Sequence, residues 1–159
     1  MLKQVKTGSR SKRGGNFAIV ASKYNGRFVD AMLRAAQAEL KRAKATSKVV
    51  RVPGAFEIPA VAAKLASGDA GRFSAIICFG VIFQGQTSHA QHVGWGVTHA
   101  LAQIQTQHRL PVIHAVFVFD KQEHAVVRCL GRKHNRGLEA AQTALEMAAV
   151  MAGLEPQGF

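Results

Sequence analysis

Short apolar runs alternate with segments of helical periodicity along most of the chain. The apolar runs predict four strands, at 17–22, 48–52, 74–83 and 112–119. Between them, apolar residues recur every three or four positions and predict helices over about 27–45, 59–67, 88–108 and 137–151. Strands that alternate with helices through right-handed crossovers form a parallel sheet. The pattern therefore predicts an α/β fold with a four-stranded parallel sheet and helices on both faces.

Polar residues at the joins predict where helices begin. Asp120 and Glu123 have the spacing of a capping box, which would start a short helix after the fourth strand. Thr87 or Ser88 can cap the third helix, and Asn135 can cap the last one. We therefore expect these side chains to accept hydrogen bonds from first-turn N–H groups.

The length of 159 residues and the hydrophobic fraction of 48% predict one globular domain. Residues 1–15 mix Lys, Arg, Ser and Gly without periodicity and are interpreted as a flexible basic tail, which leaves 16–159 as the domain. The apolar run at 75–83 is too short to span a bilayer, and the run at 17–21 is too short for a signal peptide. We expect a cytoplasmic protein without a membrane partner.

Basic residues outnumber acidic ones by 21 to 9, for a formal net charge of +12. This excess favours anionic ligands. A nucleic-acid-binding module is one alternative, but no recognised binding motif or interleaved aromatic pattern is present, so we expect only non-specific contact through the basic tail. His89 and His92 lack a third ligand at metal-like spacing, and Cys78 and Cys129 form no C-x-x-C pair. We therefore expect no metal site.

Ligands of such sheets bind at the carboxyl ends of the strands. Gly85, Gln86 and Thr87 lie at the predicted join of the third strand and its helix, where free N–H groups can hold a phosphate. A glycine turn with a hydroxyl cap explains the same residues. His89 follows in the first helical turn, where it could transfer a proton near neutral pH. Two interpretations, an anion site and a plain helix cap, stay open.

Two further groups have both a functional and a structural interpretation. Arg128 and Arg136 belong to a basic stretch between the last two helices, which is either an anion clamp or a solvated surface. Tyr24 and Asn25 follow the first strand and could stack on and hydrogen-bond to a planar heterocycle, or form an ordinary turn. The role of His114, inside an apolar strand, stays open as well.

Taken together, four separated stretches resemble the lumazine synthase family. They are V-P-G-A-F-E-I-P-A at 52–60, G-V-I-F-Q-G-Q-T-S-H at 80–89, P-V-I-H-A-V at 111–116 and R-C-L-G-R-K-H-N-R-G-L-E-A-A at 128–141. The resemblance covers roughly residues 17–150. It implies a flavodoxin-like three-layer α/β/α subunit, assembled at least as a pentamer, with active sites between neighbouring subunits.

The same resemblance implies a reaction. 5-Amino-6-ribitylaminouracil would condense with 3,4-dihydroxy-2-butanone 4-phosphate to give 6,7-dimethyl-8-ribityllumazine, the penultimate step of riboflavin biosynthesis, without a cofactor. It implies catalytic roles for His89, in proton transfer, and for Arg128, as a phosphate ligand from the adjacent subunit. It also implies a substrate-binding set: Tyr24, Asn25, Ala55, Phe56, Glu57, Val81, Ile82, Gly85, Gln86, Thr87, His114 and Arg136.

Two positions depart from the usual family pattern. Ala90 stands where an aromatic residue usually follows the histidine, and His114 stands where the family commonly has an apolar aromatic residue. They motivate an alternative hypothesis, a divergent paralogue on the same fold that mainly binds flavin or lumazine.

Overall fold

The computed structural model describes residues 14–156. Strands and helices alternate through this part of the chain. They are β1 Asn16–Ser22, α1 Gly26–Arg42, β2 Thr46–Val52, a 3-10 turn Ala55–Glu57, α2 Ile58–Ala66, β3 Ala75–Phe83, α3 His89–His108, β4 Val112–Phe119, α4 Gln122–Ala125, a π-helical turn Val126–Leu130 and α5 Arg136–Leu154. The predicted basic tail lies outside the described residues, except for its last two. Of these, Gly14 donates its N–H to the Ala43 carbonyl at 2.8 Å.

The four strands form one parallel sheet in the order β2-β1-β3-β4. Alternate residues of each strand enter two separate cores, because side chains along a strand point to opposite faces. Phe17 and Ile19 of β1 pack with α1 and α5, whereas Ala18 and Val20 pack with α2 and α3. The predicted α/β class and its three-layer arrangement are confirmed, and the strand order is that of flavodoxin-like folds.

The strand order places a crevice at the carboxyl ends of β1 and β3. From β1 the chain crosses to β2 on one side, and from β3 it crosses to β4 on the other, so the loops after these two strands separate. Asn25 bridges the crevice, since its Nδ2 donates to the Val81 carbonyl at 2.6 Å. The backbone of Asn25 is left-handed, with φ 55°, a conformation that asparagine tolerates better than most residues.

Two expectations about helix ends were wrong. The first helix ends at Arg42 and not at Ala45, because Lys44 takes a left-handed conformation with φ 58° and the chain pairs as β2 from Thr46. Asp120 does not cap α4. Its neighbour Lys121 is the N-cap residue and is still extended, with φ −135° and ψ 144°, so α4 starts one residue later than a capping box with Glu123 would require.

The predicted cap of the last helix is confirmed. Asn135 Oδ1 accepts from the N–H groups of Gly137 at 2.8 Å and Leu138 at 3.3 Å. Its Nδ2 donates to the Cys129 carbonyl at 2.8 Å, which ties the end of the π-helical turn to the start of α5. The capped end lies against α1 so closely that a Cβ on Gly137 would stand 2.0 Å from the Met32 carbonyl oxygen. This contact fixes α5 on the α1 side of the sheet.

Candidate active site

The loops after β1 and β2 meet at Tyr24. Its backbone N–H donates to the Pro53 carbonyl at 3.0 Å. A Cβ on Gly54 would lie 3.2 Å from the tyrosine ring, so the ring packs against the glycine backbone. The side chain of Tyr24 is nevertheless 71% exposed. One face of the ring is therefore supported by the protein and the ring stays accessible to a planar ligand.

The 3-10 turn at 55–57 adds a second aromatic ring to this crevice. Phe56 is 63% exposed and lies close to α3, where a Cβ on Gly96 would be 3.3 Å from its ring. Ala55 is buried. Glu57 folds back so that its Oε2 accepts the Gly54 N–H at 2.9 Å, which holds the turn in shape. The glutamate thus has a structural bond and still exposes its carboxylate.

The segment 81–82 forms the floor of the crevice. Val81 is buried, with an exposed fraction of 2%, and its carbonyl is the acceptor for Asn25. Ile82 is half-buried. The crevice therefore combines two exposed aromatic rings with an apolar floor and a fixed amide, an arrangement that suits a flat heterocycle with polar edges.

Side chains of the loop between β3 and α3 form hydrogen bonds within the loop. Gln84 Nε2 donates to the Thr87 carbonyl at 2.8 Å and to the Gly85 carbonyl at 3.3 Å. Thr87 Oγ1 accepts the His89 N–H at 3.3 Å, whereas Ser88 makes no side-chain cap bond. Of the two predicted caps, the bond of Thr87 is therefore the one observed. Gly85, Gln86 and Thr87 are exposed.

His89 is the first residue of the 20-residue helix α3 and is exposed beside this loop. A helix of this length carries a partial positive charge at its N-terminus, where the first N–H groups lack partners in the helix. The loop and the helix start therefore offer N–H donors and a titratable imidazole within one turn of each other.

A cavity of about 490 Å³ lies next to the crevice, at the end of β4. Its walls include Phe117, Phe119, Asp120, His124, Arg128 and Arg136. The two cavity arginines that the sequence singled out are thus brought together. The cavity adjoins the loop before α3, because the Gln84 N–H donates to the Phe119 carbonyl at 2.9 Å.

Arg128 lies in the π-helical turn between α4 and α5. π-Helical turns are rare and are frequent at functional sites. Gly131 allows the turn to close, since a Cβ there would stand 2.7 Å from the Val127 carbonyl oxygen. Arg136 forms an ion pair with Glu139 at 2.5 Å. Among residues 14–156, Arg128 has no such acidic partner.

A comparison with protein-family models agrees with this arrangement. The model of 6,7-dimethyl-8-ribityllumazine synthase matches residues 14–152. The chain belongs to this family. The match takes in the complete sheet, the crevice and the cavity, so the candidate site is the part of a lumazine synthase domain in which strand ends and loops meet.

In this lumazine synthase domain, the sequence-predicted residues fall into three places. The crevice holds Tyr24, Asn25, Ala55, Phe56, Glu57, Val81 and Ile82; the loop before α3 holds Gly85, Gln86, Thr87 and His89; the cavity holds Arg128 and Arg136. Within residues 14–156, no hydrogen bond or ion pair connects Arg128 to that loop. Sequence reasoning missed Asp120 and His124 as cavity residues. The spacing of four between His124 and Arg128 was the available signal.

His114 lies apart from these groups, on the α3 side of β4. Its Nδ1 accepts the Val116 N–H at 3.3 Å and its Nε2 lies 2.8 Å from Thr98 Oγ1. Because an N–H can only donate, Nδ1 is unprotonated, and Nε2–H of the neutral ring donates to the threonine. Burial lowers the pKa of His114 below its ordinary value. Both ring nitrogens thus have partners within the chain, which leaves the ring face for contact with a ligand.

This environment predicts a pH effect on stability. The unfolded chain takes up a proton on residue 114 near the ordinary histidine value of 6.5, while the folded protein resists it until a lower pH. The contribution of neutral His114 to the free energy of unfolding is therefore complete above pH 6.5 and is lost as the pH falls below this value. We expect the melting temperature of the wild type to fall more steeply below about pH 6.5 than that of His114→Gln. Above about pH 7, the melting temperatures of the two proteins should change in parallel. Parallel curves over the whole range would contradict the assignment.

The two cysteines take no part in the site. Cys78 and Cys129 are buried free thiols. Burial raises the pKa of Cys78 to about 12 and that of Cys129 to about 11, despite the charges of Arg128 and Arg136 near the latter. Neither sulfur is a thiolate nucleophile at neutral pH.

Neither a membrane span nor a metal cluster is present in the described part of the chain. Over residues 14–156, every helix is too short or too polar to cross a bilayer. In the same range, the His, Cys, Asp and Glu side chains form no group of three or more that could hold a metal ion.

Proposed function

We propose that the protein is a transferase that condenses 5-amino-6-ribitylaminouracil with 3,4-dihydroxy-2-butanone 4-phosphate. Family membership supports riboflavin-related lumazine synthesis in general. The observation that supports these two substrates is that the aromatic crevice, which the hydrogen bond between Asn25 and Val81 crosses, lies beside the exposed start of α3. One end of the site suits a flat ring and the other suits a phosphate.

The ring of the uracil binds in the crevice in this proposal. Tyr24 and Phe56 supply exposed aromatic faces, and Ile82 supplies apolar contact. Asn25, whose amide is fixed by Val81, and Glu57 supply polar groups for the ribitylamino chain. Ala55 and Val81, both buried, shape the floor. His114 lies apart from the crevice of its own subunit, so in this proposal its ring face and Arg136 complete the heterocycle site of a neighbouring subunit.

The phosphate of the second substrate binds at the start of α3. Gly85, Gln86 and Thr87 present backbone N–H groups, and the helix end favours the negative charge. Arg128 adds a guanidinium, which can grip phosphate through two N–H groups. Phosphate retention at this end brings the ketone of the sugar phosphate close to the amine of the uracil, and this positioning is the main source of rate.

The chemistry needs only proton transfers. The 5-amino group attacks the ketone, and loss of one water gives an imine. Removal of the proton from the hydroxyl-bearing carbon next to the imine breaks the bond between carbon and the phosphate oxygen, so that phosphate leaves and an enol remains. A proton shift converts this enol to a methyl ketone. The ribityl-bearing nitrogen then attacks the new carbonyl carbon, and loss of a second water closes the ring. His89 moves protons in these steps, and Arg128 stabilises the charge on the departing phosphate. We propose no cofactor.

The site is completed between subunits in this proposal, with Arg128 contributed by a neighbour. Arg128 has no acidic partner within residues 14–156. Large apolar side chains stay exposed on the subunit, including Trp95 at 67% and Val127 at 59%. Such surface is usually covered by another chain. We propose a homo-oligomer built of pentamers, and native mass measurement tests it.

A synthase assay tests the activity and the role of His89. Purified protein mixed with both substrates should give the absorbance and fluorescence of ribityllumazine. We expect His89→Ala to lower kcat about a hundredfold, because a positioned acid-base group contributes about that much or more. Assembly should not change, since His89 is exposed. His108→Ala, at the far end of α3, is the matched control and should keep full turnover.

Two other results would contradict the proposal. Full turnover of His89→Ala would remove this residue from the mechanism. Absence of product from the wild type, together with tight binding of lumazine or riboflavin, would favour a ligand-binding paralogue instead. The observation that favours this second function is the polar His114 at the proposed heterocycle site, since both of its ring nitrogens have hydrogen-bond partners within the chain.

A further inference from the structure

The charges around the cavity at the end of β4 almost cancel. Arg128 and Arg136 are positive, whereas Asp120 and Glu139 are negative, and Glu139 is paired with Arg136. A phosphate group carries up to two negative charges near neutral pH. Two arginines offset by two carboxylates offer it little net attraction. The charge of the remaining ionisable wall residue, His124, decides whether the cavity is net positive.

His124 is placed to act on the same ligand as Arg128. It lies in α4, four residues before Arg128, and α4 continues directly into the π-helical turn. Both side chains line the cavity. In the described part of the chain, the imidazole makes no hydrogen bond or ion pair, and neither does the carboxylate of Asp120. The imidazole is exposed and can turn toward a ligand.

We propose that His124 is a pH-dependent part of the phosphate subsite, in which its protonated ring donates a hydrogen bond to a phosphate oxygen beside Arg128. The inference rests on the proposed function, which places the phosphate at Arg128. It assigns His124 to substrate binding and to the selection of a dianionic ligand. No proton is transferred to the substrate by this residue.

Charged groups of both signs surround His124, so the bound anion sets the direction of the effect. They are the carboxylate of Asp120 after β4 and the guanidinium groups of Arg128 in the π-helical turn and Arg136 in α5, with Glu123 next to His124 in α4. Glu139 is engaged by Arg136. A bound dianion adds two negative charges and favours protonation. By linkage, the anion then binds more tightly at low pH and takes up a proton as it binds.

Sulfate is the appropriate probe, because a phosphate monoester changes its own charge near pH 6 and would hide the effect. Sulfate remains a dianion over the whole range. Calorimetric titration of the full chain with sulfate, at constant ionic strength, gives the dissociation constant between about pH 5.5 and 8. We expect the wild type to bind sulfate about fivefold more weakly at the upper end.

Three variants isolate the imidazole. His124→Gln should bind sulfate at every pH as weakly as the wild type does at the upper end of the range. His124→Lys should bind it throughout as tightly as the wild type does at the lower end. The charge of neither side chain changes within this range. His108→Gln, the same substitution at the far end of α3, should show the same dependence of sulfate affinity on pH, called the slope below, as the wild type. In the synthase assay, His124→Gln should raise KM for the butanone phosphate and leave kcat almost unchanged. A slope in His124→Gln equal to that of the wild type would overturn the inference.

The result with Arg128→Ala separates this inference from the function on which it rests. Weaker sulfate binding by Arg128→Ala, together with an unchanged slope in His124→Gln, overturns the role of His124 and leaves the proposed function standing. Unchanged sulfate binding by Arg128→Ala overturns the phosphate assignment itself, and the inference with it.

Discussion

A Gly137→Ala variant is expected to lose about 4 kcal/mol of unfolding free energy, which is a large share of the stability of a single domain. The added Cβ would lie 2.0 Å from the Met32 carbonyl oxygen and 2.5 Å from the carbonyl carbon and Cα of the same residue. All three are backbone atoms, so no side-chain rotation relieves the clash. Helix α5 would have to move away from α1.

The movement is costly because the two helices share one core. Met32 and Ala36 of α1, and Ala141 and Ala144 of α5, are completely buried there. Separation of the helices opens a gap in a densely packed interior, where overpacking alone typically costs about 1–3 kcal/mol. The Asn135 cap would be strained as well, since its Oδ1 accepts the N–H of the substituted residue.

Chemical denaturation measures the loss, and a second glycine in the same helix provides the control. A Cβ on Gly153 has no neighbour within 4 Å. Gly153→Ala should therefore keep or raise the stability, by up to about 1 kcal/mol, because alanine favours the helix more than glycine does. If both variants unfolded at the denaturant concentration of the wild type, the contact between α1 and α5 at Gly137 would contribute nothing to stability.

The close approach of α5 to α1 at Gly137 could not be predicted from the sequence. Apolar periodicity predicted the order of strands and helices and the faces that they bury, because it is a local property of the chain. The cap at Asn135 was predicted for the same reason and is confirmed. The contact between Gly137 and Met32 joins residues far apart in sequence. It depends on how α5 crosses α1, which no local pattern specifies.

Errors at helix ends have a similar origin. The Asp120 and Glu123 pair matches a capping box, yet the backbone of Lys121 is extended and α4 starts one residue later than the box requires. The π-helical turn at 126–130 has no sequence signal of its own. It nevertheless brings Arg128 to the wall that His124 and Asp120 share. The residues of the crevice were predictable because parallel strands bring their carboxyl ends to one edge.

Arg128→Ala is the substitution with the largest expected effect on catalysis. In the proposed function, the guanidinium stabilises the phosphate both in the bound substrate and as it departs. Removal of one such charge-stabilising group from an active site typically costs about 100- to 1,000-fold in rate. We expect a loss of kcat/KM near the upper end, measured by ribityllumazine formation. Arg128→Lys keeps the charge but loses the bidentate geometry of the guanidinium, so its kcat/KM should lie between those of the wild type and Arg128→Ala.

The nearby Arg132 is the matched control. It is also exposed, but it lies beyond the π-helical turn and does not line the cavity at the end of β4. Arg132→Ala removes the same charge from the same surface. An unspecific effect of net charge on substrate attraction would lower the activity of both variants equally. A specific phosphate ligand predicts a change of less than about twofold for Arg132→Ala, in line with the small effect of distant surface charges.

Mixed oligomers test whether Arg128 acts on the site of a neighbour. A subunit with His89→Ala still offers its own Arg128, and a subunit with Arg128→Ala still offers its own His89. If each site takes these residues from two different subunits, random co-assembly leaves both intact in about one site in four, so activity returns when two nearly inactive variants are combined. If both residues came from one subunit, no site would be complete. We expect the first outcome, because within residues 14–156 no hydrogen bond or ion pair connects Arg128 to the loop of its own chain.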